Sequence, residues 1–131
     1  MSTLEERNIE RVKLWEQTWN EDVMRMVDEC YAEDCEVTDM LRDRTYYGRG
    51  ELRLIEEQMM AADATRRMKI VNMVASGNTV VVETHSTRKG GEVRSKSCVV
   101  LVFNEEGLII SDHSYGGDPT GIAANDPRVD S

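Results

Sequence analysis

The chain has 131 residues, 25 of them acidic and 16 basic, for a formal net charge of −9. That length suits one domain able to bury a core without staples. The charge works against nucleic acid and anionic membranes, which want Lys or Arg at each phosphate, and serves solubility instead.

Cys30, Cys35 and Cys98 are odd in number and lack metal-ligand clustering, so reduced, mostly buried thiols are expected and no metal. No run approaches the roughly 20 apolar residues of a membrane span. The opening Ser2-Thr3-Leu4-Glu5-Glu6 has neither a basic start nor an apolar stretch. A cytoplasmic protein is expected.

Thr3 followed by Glu6 spells a capping box, and Ile9, Val12, Trp15 and Trp19 recur at helical intervals, which predicts an amphipathic helix over 4–19. Asn20-Glu21-Asp22 caps a second helix with Val23, Met26, Val27, Cys30 and Tyr31 on one face. Cys35–Asp39 reads as a short strand, and Gly48-Arg49-Gly50 opens a third helix carrying Leu52, Ile55 and Met59. The period then changes to two. Strands are predicted over 66–75, 79–87, 92–103 and 108–115, with turns at Ser76-Gly77-Asn78, Arg88-Lys89-Gly90-Gly91 and Glu105-Glu106-Gly107.

These elements predict a single α+β domain over 1–131, with three N-terminal helices covering a curved antiparallel sheet. The 35–39 strand would lie at one edge, and residues 116–131 would form an irregular tail, folded over the pocket mouth or mobile. A sheet so long and curved, with three helices to cover it, predicts a half-closed cone with a pocket between the layers. Val80-Val81-Val82 and Cys98–Val102 are apolar on both faces, so the outer face needs a cover, and a homodimer is expected.

This order of elements, with Val37-Thr38-Asp39-Met40, Tyr46-Tyr47-Gly48-Arg49 and Glu105-Glu106-Gly107-Leu108-Ile109-Ile110, resembles the nuclear transport factor 2-like superfamily over residues 4 to about 116. Within it the chain is most similar to the SnoaL-like polyketide cyclases, limonene-epoxide hydrolases and ketosteroid isomerases. The resemblance implies that Asp39 stands where the isomerases keep their general base and the epoxide hydrolases keep a water-holding asparagine. The isomerase oxyanion pair falls on Trp15 and Val99, of which only the Trp15 indole can donate. The epoxide hydrolase Asp-Arg-Asp relay falls on Ser86, Thr84 and Ser114 and is absent. The cyclases' last-strand aspartate falls at Ser114, and Asp112, two residues earlier, shares that residue's face.

A pocket lined by Trp15, Trp19, Tyr31, Val82, Val99 and Leu101 would desolvate Asp39 and suit it to proton transfer; the plain alternative is that Asp39 caps the Met40–Asp43 turn. Asp112, Thr84, Ser86, Ser97 and Ser114 alternate onto one strand face, as a polar pocket wall or as ordinary strand residues near a rim. His85 and His113 are acid/base candidates that the resemblance turns toward a partner subunit. Either Tyr46 or Tyr47 faces the pocket with its hydroxyl, or both pack at an edge. The eight Met residues suit an adaptable cavity or plain core filling.

The expected function is a small cofactor-independent enzyme for an apolar cyclic or polyketide-like molecule. Asp39 would be the base, assisted by Asp112 or a tyrosine, in isomerisation, cyclisation, dehydration or epoxide opening. The alternative from another class is a non-catalytic ligand-binding or subunit-association module of the same fold.

Overall fold

The computed structural model describes residues 3–89 and 91–117. Helices α1 (Leu4–Glu21) and α2 (Val23–Cys30) are separated by Asp22 alone. The Thr3 hydroxyl accepts from the Glu6 N–H at 3.1 Å, and Asp22 Oδ1 accepts from the Arg25 N–H at 3.2 Å. Each helix therefore starts on a side chain that satisfies one of its free donors. Then follow β1 (Tyr31–Asp39), β2 (Arg44–Tyr47), α3 (Gly48–Ala62), β3 (Arg67–Ser76), β4 (Thr79–Arg88), β5 (Glu92–Phe103) and β6 (Ile109–Gly117).

The six strands form one sheet in the order β2-β1-β6-β5-β4-β3. All neighbours are antiparallel except β1 and β6, which run parallel, so the α+β arrangement is as expected but the sheet is mixed. Two further differences concern β1. It begins at Tyr31, whose extended backbone (φ −103°, ψ 144°) ends α2. It also lies inside the sheet, because the unforeseen β2 takes the edge and pairs Glu36–Asp39 with Arg44–Tyr47. The last strand runs through Gly117, past the expected start of the tail at 116, and the rest of the tail lies outside the described residues.

Period-two alternation sends Val80, Val82 and Thr84 of β4, and Val99, Leu101 and Phe103 of β5, to the inner face, where they meet Val12, Met26 and Val27 from the helices. Burying a Phe or Leu in such a layer contributes about 1.5–3 kcal/mol.

Polar clamps fix α1 over this face. Arg7 and Arg11 donate to the carbonyls of Asn104, Glu105 and Gly107 at the β5–β6 turn. Toward its other end Asn20 exchanges two hydrogen bonds with the Met68 backbone, at 2.7 and 2.8 Å, and Glu16 accepts from the Ile70 N–H. Those carboxamide and carboxylate groups occupy the free edge of β3 as another strand would. The helix is thus pinned at both ends, and a cavity lies between it and the far ends of β4, β5 and β6.

Candidate functional site

The cavity has a volume of about 440 Å³. Trp15 and Trp19 from α1, Met26 from α2, and Leu52, Glu56 and Met59 from α3 form one wall. Thr84, Ser86, Ser97, Val99, Asp112 and Ser114 form the sheet wall, joined by Tyr31 and Val37 of β1. Arg66 and Met68 line it where α3 passes into β3, and Arg42, Arg88, Ser95 and Gly116 complete the lining.

Two polar constellations stand in this lining. In the first, the Trp15 indole N–H donates to the Tyr31 hydroxyl at 3.1 Å, which donates to Asp112 Oδ2 at 2.7 Å. The Ser114 hydroxyl donates to Asp112 Oδ1 at 2.9 Å. Asp112 is only 3% exposed and Tyr31 2%. Burial pushes the Asp112 carboxyl up from its ordinary range, while the bonds from Tyr31 and Ser114 and the nearby His113 pull it back. Burial, then the Asp112 charge, hold the Tyr31 phenol well above its ordinary value, so it stays a neutral donor.

In the second, Arg66 Nη2 donates to Glu56 Oε2 at 3.1 Å, and the guanidinium lies 4.6 Å from the centre of the Trp19 ring. Arg66 is 5% exposed. Burial raises the Glu56 carboxyl, against the lowering influence of Arg66. Arg66 Nε is buried without a hydrogen-bond partner among the described residues.

Of the residues expected at the site, Trp15, Trp19, Tyr31, Thr84, Ser86, Val99, Asp112 and Ser114 are brought together. Asp39 is not among them. Its Oδ1 accepts from the Leu41 and Arg42 N–H groups, each at 3.1 Å, and its Oδ2 pairs with Arg42 Nη1 at 2.8 Å, so the carboxylate is committed to the turn. Tyr47 is 61% exposed and lines a shallow groove beside β2. Val82 and Leu101 lie beneath the cavity in the packed core. His85 and His113 alternate with lining residues and so face the outer side of the sheet.

Glu56 and Arg66 went unforeseen, although Glu56 stands inside the Leu52–Met59 stripe of α3, where a carboxylate demands a buried partner. Among the described residues, no three His, Cys, Asp or Glu side chains gather as a metal set, and no helix is long and apolar enough to cross a membrane.

The sequence profile of the SnoaL-like domain matches residues 12–111. The chain belongs to the SnoaL-like domain family. No curated protein matches it. Solved structures do. A nuclear transport factor 2-like protein of unknown function from Burkholderia xenovorans LB400 aligns with a TM-score of 0.75 at 17% identity, covering 90% of this chain and 88% of that one. A proposed SnoaL-like polyketide cyclase from Jannaschia sp. CCS1 aligns with a TM-score of 0.72 at 14% identity, over 88% and 89% of the two chains. A proposed ketosteroid isomerase from Kribbella flavida DSM 17836 gives 0.72 at 15% identity, over 96% and 92%. At these identities the likeness is one of fold, the nuclear transport factor 2-like fold that the element order implied.

Proposed function

We propose that this SnoaL-like domain is a cofactor-independent acid/base enzyme for a small, largely apolar carbonyl compound, with Asp112 as the proton-transferring group. The observation that carries the reading is a buried carboxyl, raised by desolvation and gripped by the Tyr31 hydroxyl, in the wall of the cavity. The Asp112 carboxylate removes a proton from the carbon beside a substrate carbonyl, and the electron pair moves onto the carbonyl oxygen. Hydroxyls of Ser86 and Ser97 on the same wall supply donors for that oxygen. Return of the proton at another carbon is isomerisation; attack of the enolate on a second carbonyl is cyclisation. Tyr31, oriented by Trp15, steers the carboxylate and tunes its basicity. Asp39 serves the turn that carries Arg42.

Hydrogen–deuterium exchange at the α-carbon of 1-tetralone and of a steroid Δ5-3-ketone, followed by NMR, tests this. The native chain should accelerate exchange over buffer, and Asp112→Asn should return it to the buffer rate. Equal acceleration in both proteins would assign the base to another residue, whereas ketones that bind yet exchange at the buffer rate in both would remove catalysis altogether. This last outcome would favour a non-catalytic binding module, a reading supported by both Asp112 oxygens already accepting hydrogen bonds from the protein.

The setting proposed is cytoplasmic, in keeping with the free Cys30, Cys35 and Cys98. The proposed cover for the outer sheet face, where Val81, Val100 and Val102 remain partly exposed, is a second copy of the chain. Sedimentation at micromolar concentration should then give a dimer; a monomer at all concentrations would end that part of the reading.

A further inference from the structure

Arg66 is a buried cation whose hydrogen bonds are incomplete. The Trp19 ring covers its face at 4.6 Å, Glu56 takes one N–H from Nη2, and Nε has no partner among the described residues. Buried polar groups are nearly always satisfied, and a guanidinium offers five donors in a rigid planar fork matched to oxygen anions. Stacking on Trp19 occupies the face of the fork and fixes its plane, and Arg66 lines the cavity with in-plane donors that Glu56 does not take.

Arg66 also differs from the other arginines of the lining. Arg42, Arg66 and Arg88 contribute three guanidinium groups, against two carboxyls from Glu56 and Asp112. The partners of the other two arginines, Asp39 for Arg42 and Asp63 for Arg88, stand outside the lining. Those two arginines are therefore paired outside the cavity and exposed to water, which leaves Arg66 as the buried guanidinium of the lining.

We propose that Arg66, braced by Trp19 and Glu56, is the anchor for a carboxylate on the ligand, so that the cavity takes a small organic acid whose apolar body lies against Trp15, Met26 and Met68. This deepens the function proposed above and rests on the cavity being the ligand site. An acid held by Arg66 in one part of the lining presents the rest of its skeleton toward Asp112. Arg66 is thus a binding residue, while proton transfer stays with Asp112.

Isothermal titration of the native chain with benzoate, 2-naphthoate and 4-phenylbenzoate, each against its neutral isosteric amide, tests the anchor. At least one acid should bind about tenfold more tightly than its amide. Arg66→Gln should erase that preference, and Arg66→Lys, which keeps the charge without the planar fork, should keep part of it. Should Arg66→Gln fail to fold because Glu56 is left unpaired, Arg66→Gln combined with Glu56→Gln removes both partners and carries the same readout. If no acid of the set outbinds its amide, or if the preference survives loss of Arg66, the proposal is overturned. Asp112→Asn should retain the preference for the acid, so a failure of the proton-transfer reading and a failure of this one are separately visible.

Discussion

The Tyr31 hydroxyl donates to Asp112 Oδ2 at 2.7 Å, joining the first residue of β1 to a residue of β6 that lies 81 positions later in the chain. That bond lowers the Asp112 carboxyl against the upward push of burial. In Tyr31→Phe the carboxyl should titrate at higher pH, and the Trp15 N–H loses its acceptor. The variant should lose about 1–3 kcal/mol of stability in urea titration. The pH at which the exchange reaction switches on should move upward, whereas an unmoved midpoint would mean that Tyr31 does not tune Asp112.

The raised carboxyls of Asp112 and Glu56 make stability depend on pH with a definite sign. Both hold their protons to higher pH in the folded chain than in the unfolded one. Their contribution is therefore complete below the ordinary carboxyl range and declines as pH rises through the folded values. The melting temperature should fall as pH is raised above about 4 toward neutrality, and Asp112→Asn should flatten that fall. A variant that tracks the native curve in parallel would contradict the shift at Asp112.

Asp39 offers a direct comparison of two roles. Because its carboxylate holds the Leu41 and Arg42 N–H groups, Asp39→Ala should cost about 0.5–2 kcal/mol. Asp39→Asn, which keeps an acceptor oxygen for the turn, should leave ketone exchange within about threefold of native, a change of well under 1 kcal/mol in barrier. Loss of exchange in Asp39→Asn with an unchanged melting temperature would return the base to Asp39.

Gly116 sits where β6 passes close to β5. A Cβ there would come within 2.6 Å of Ser97 Cα and 2.7 Å of the Lys96 carbonyl oxygen. Gly116→Ala should destabilise by about 1–3 kcal/mol, as overpacking does. Adding Ser97→Ala should not rescue it, since the obstructing atoms include backbone; full rescue would place the conflict in the Ser97 hydroxyl.

Helix periods and strand alternation were legible because they are local, and the Trp15 and Val12 stripe and the inner faces of β4 and β5 follow them directly. Tyr31 looked helical because it extends the apolar face of Val27 and Cys30. What makes it a strand residue is pairing with Ile109, a contact invisible to a short window. The four residues of β2 are too few to show a period. Asp39 has the expected strand position, two residues beyond the lining Val37 and paired with Ser114, yet its carboxylate was captured by the neighbouring turn. Parity assigns a side chain to a face and says nothing of which donor wins it. Arg66 was missed for a related reason: its partners, Glu56 and Trp19, come from two different helices.

The parallel junction of β1 with β6 has a kinetic consequence. More than half of the chain must be traversed before those strands can meet, and contacts of such long span close late because their loop entropy is spent first. Tyr31 and Asp112 reach one another only at that closure, so neither the carboxyl's environment nor the cavity wall exists in a partly folded chain. A ligand that fits the cavity would bind the finished fold alone and, by mass action, should protect the whole domain against unfolding.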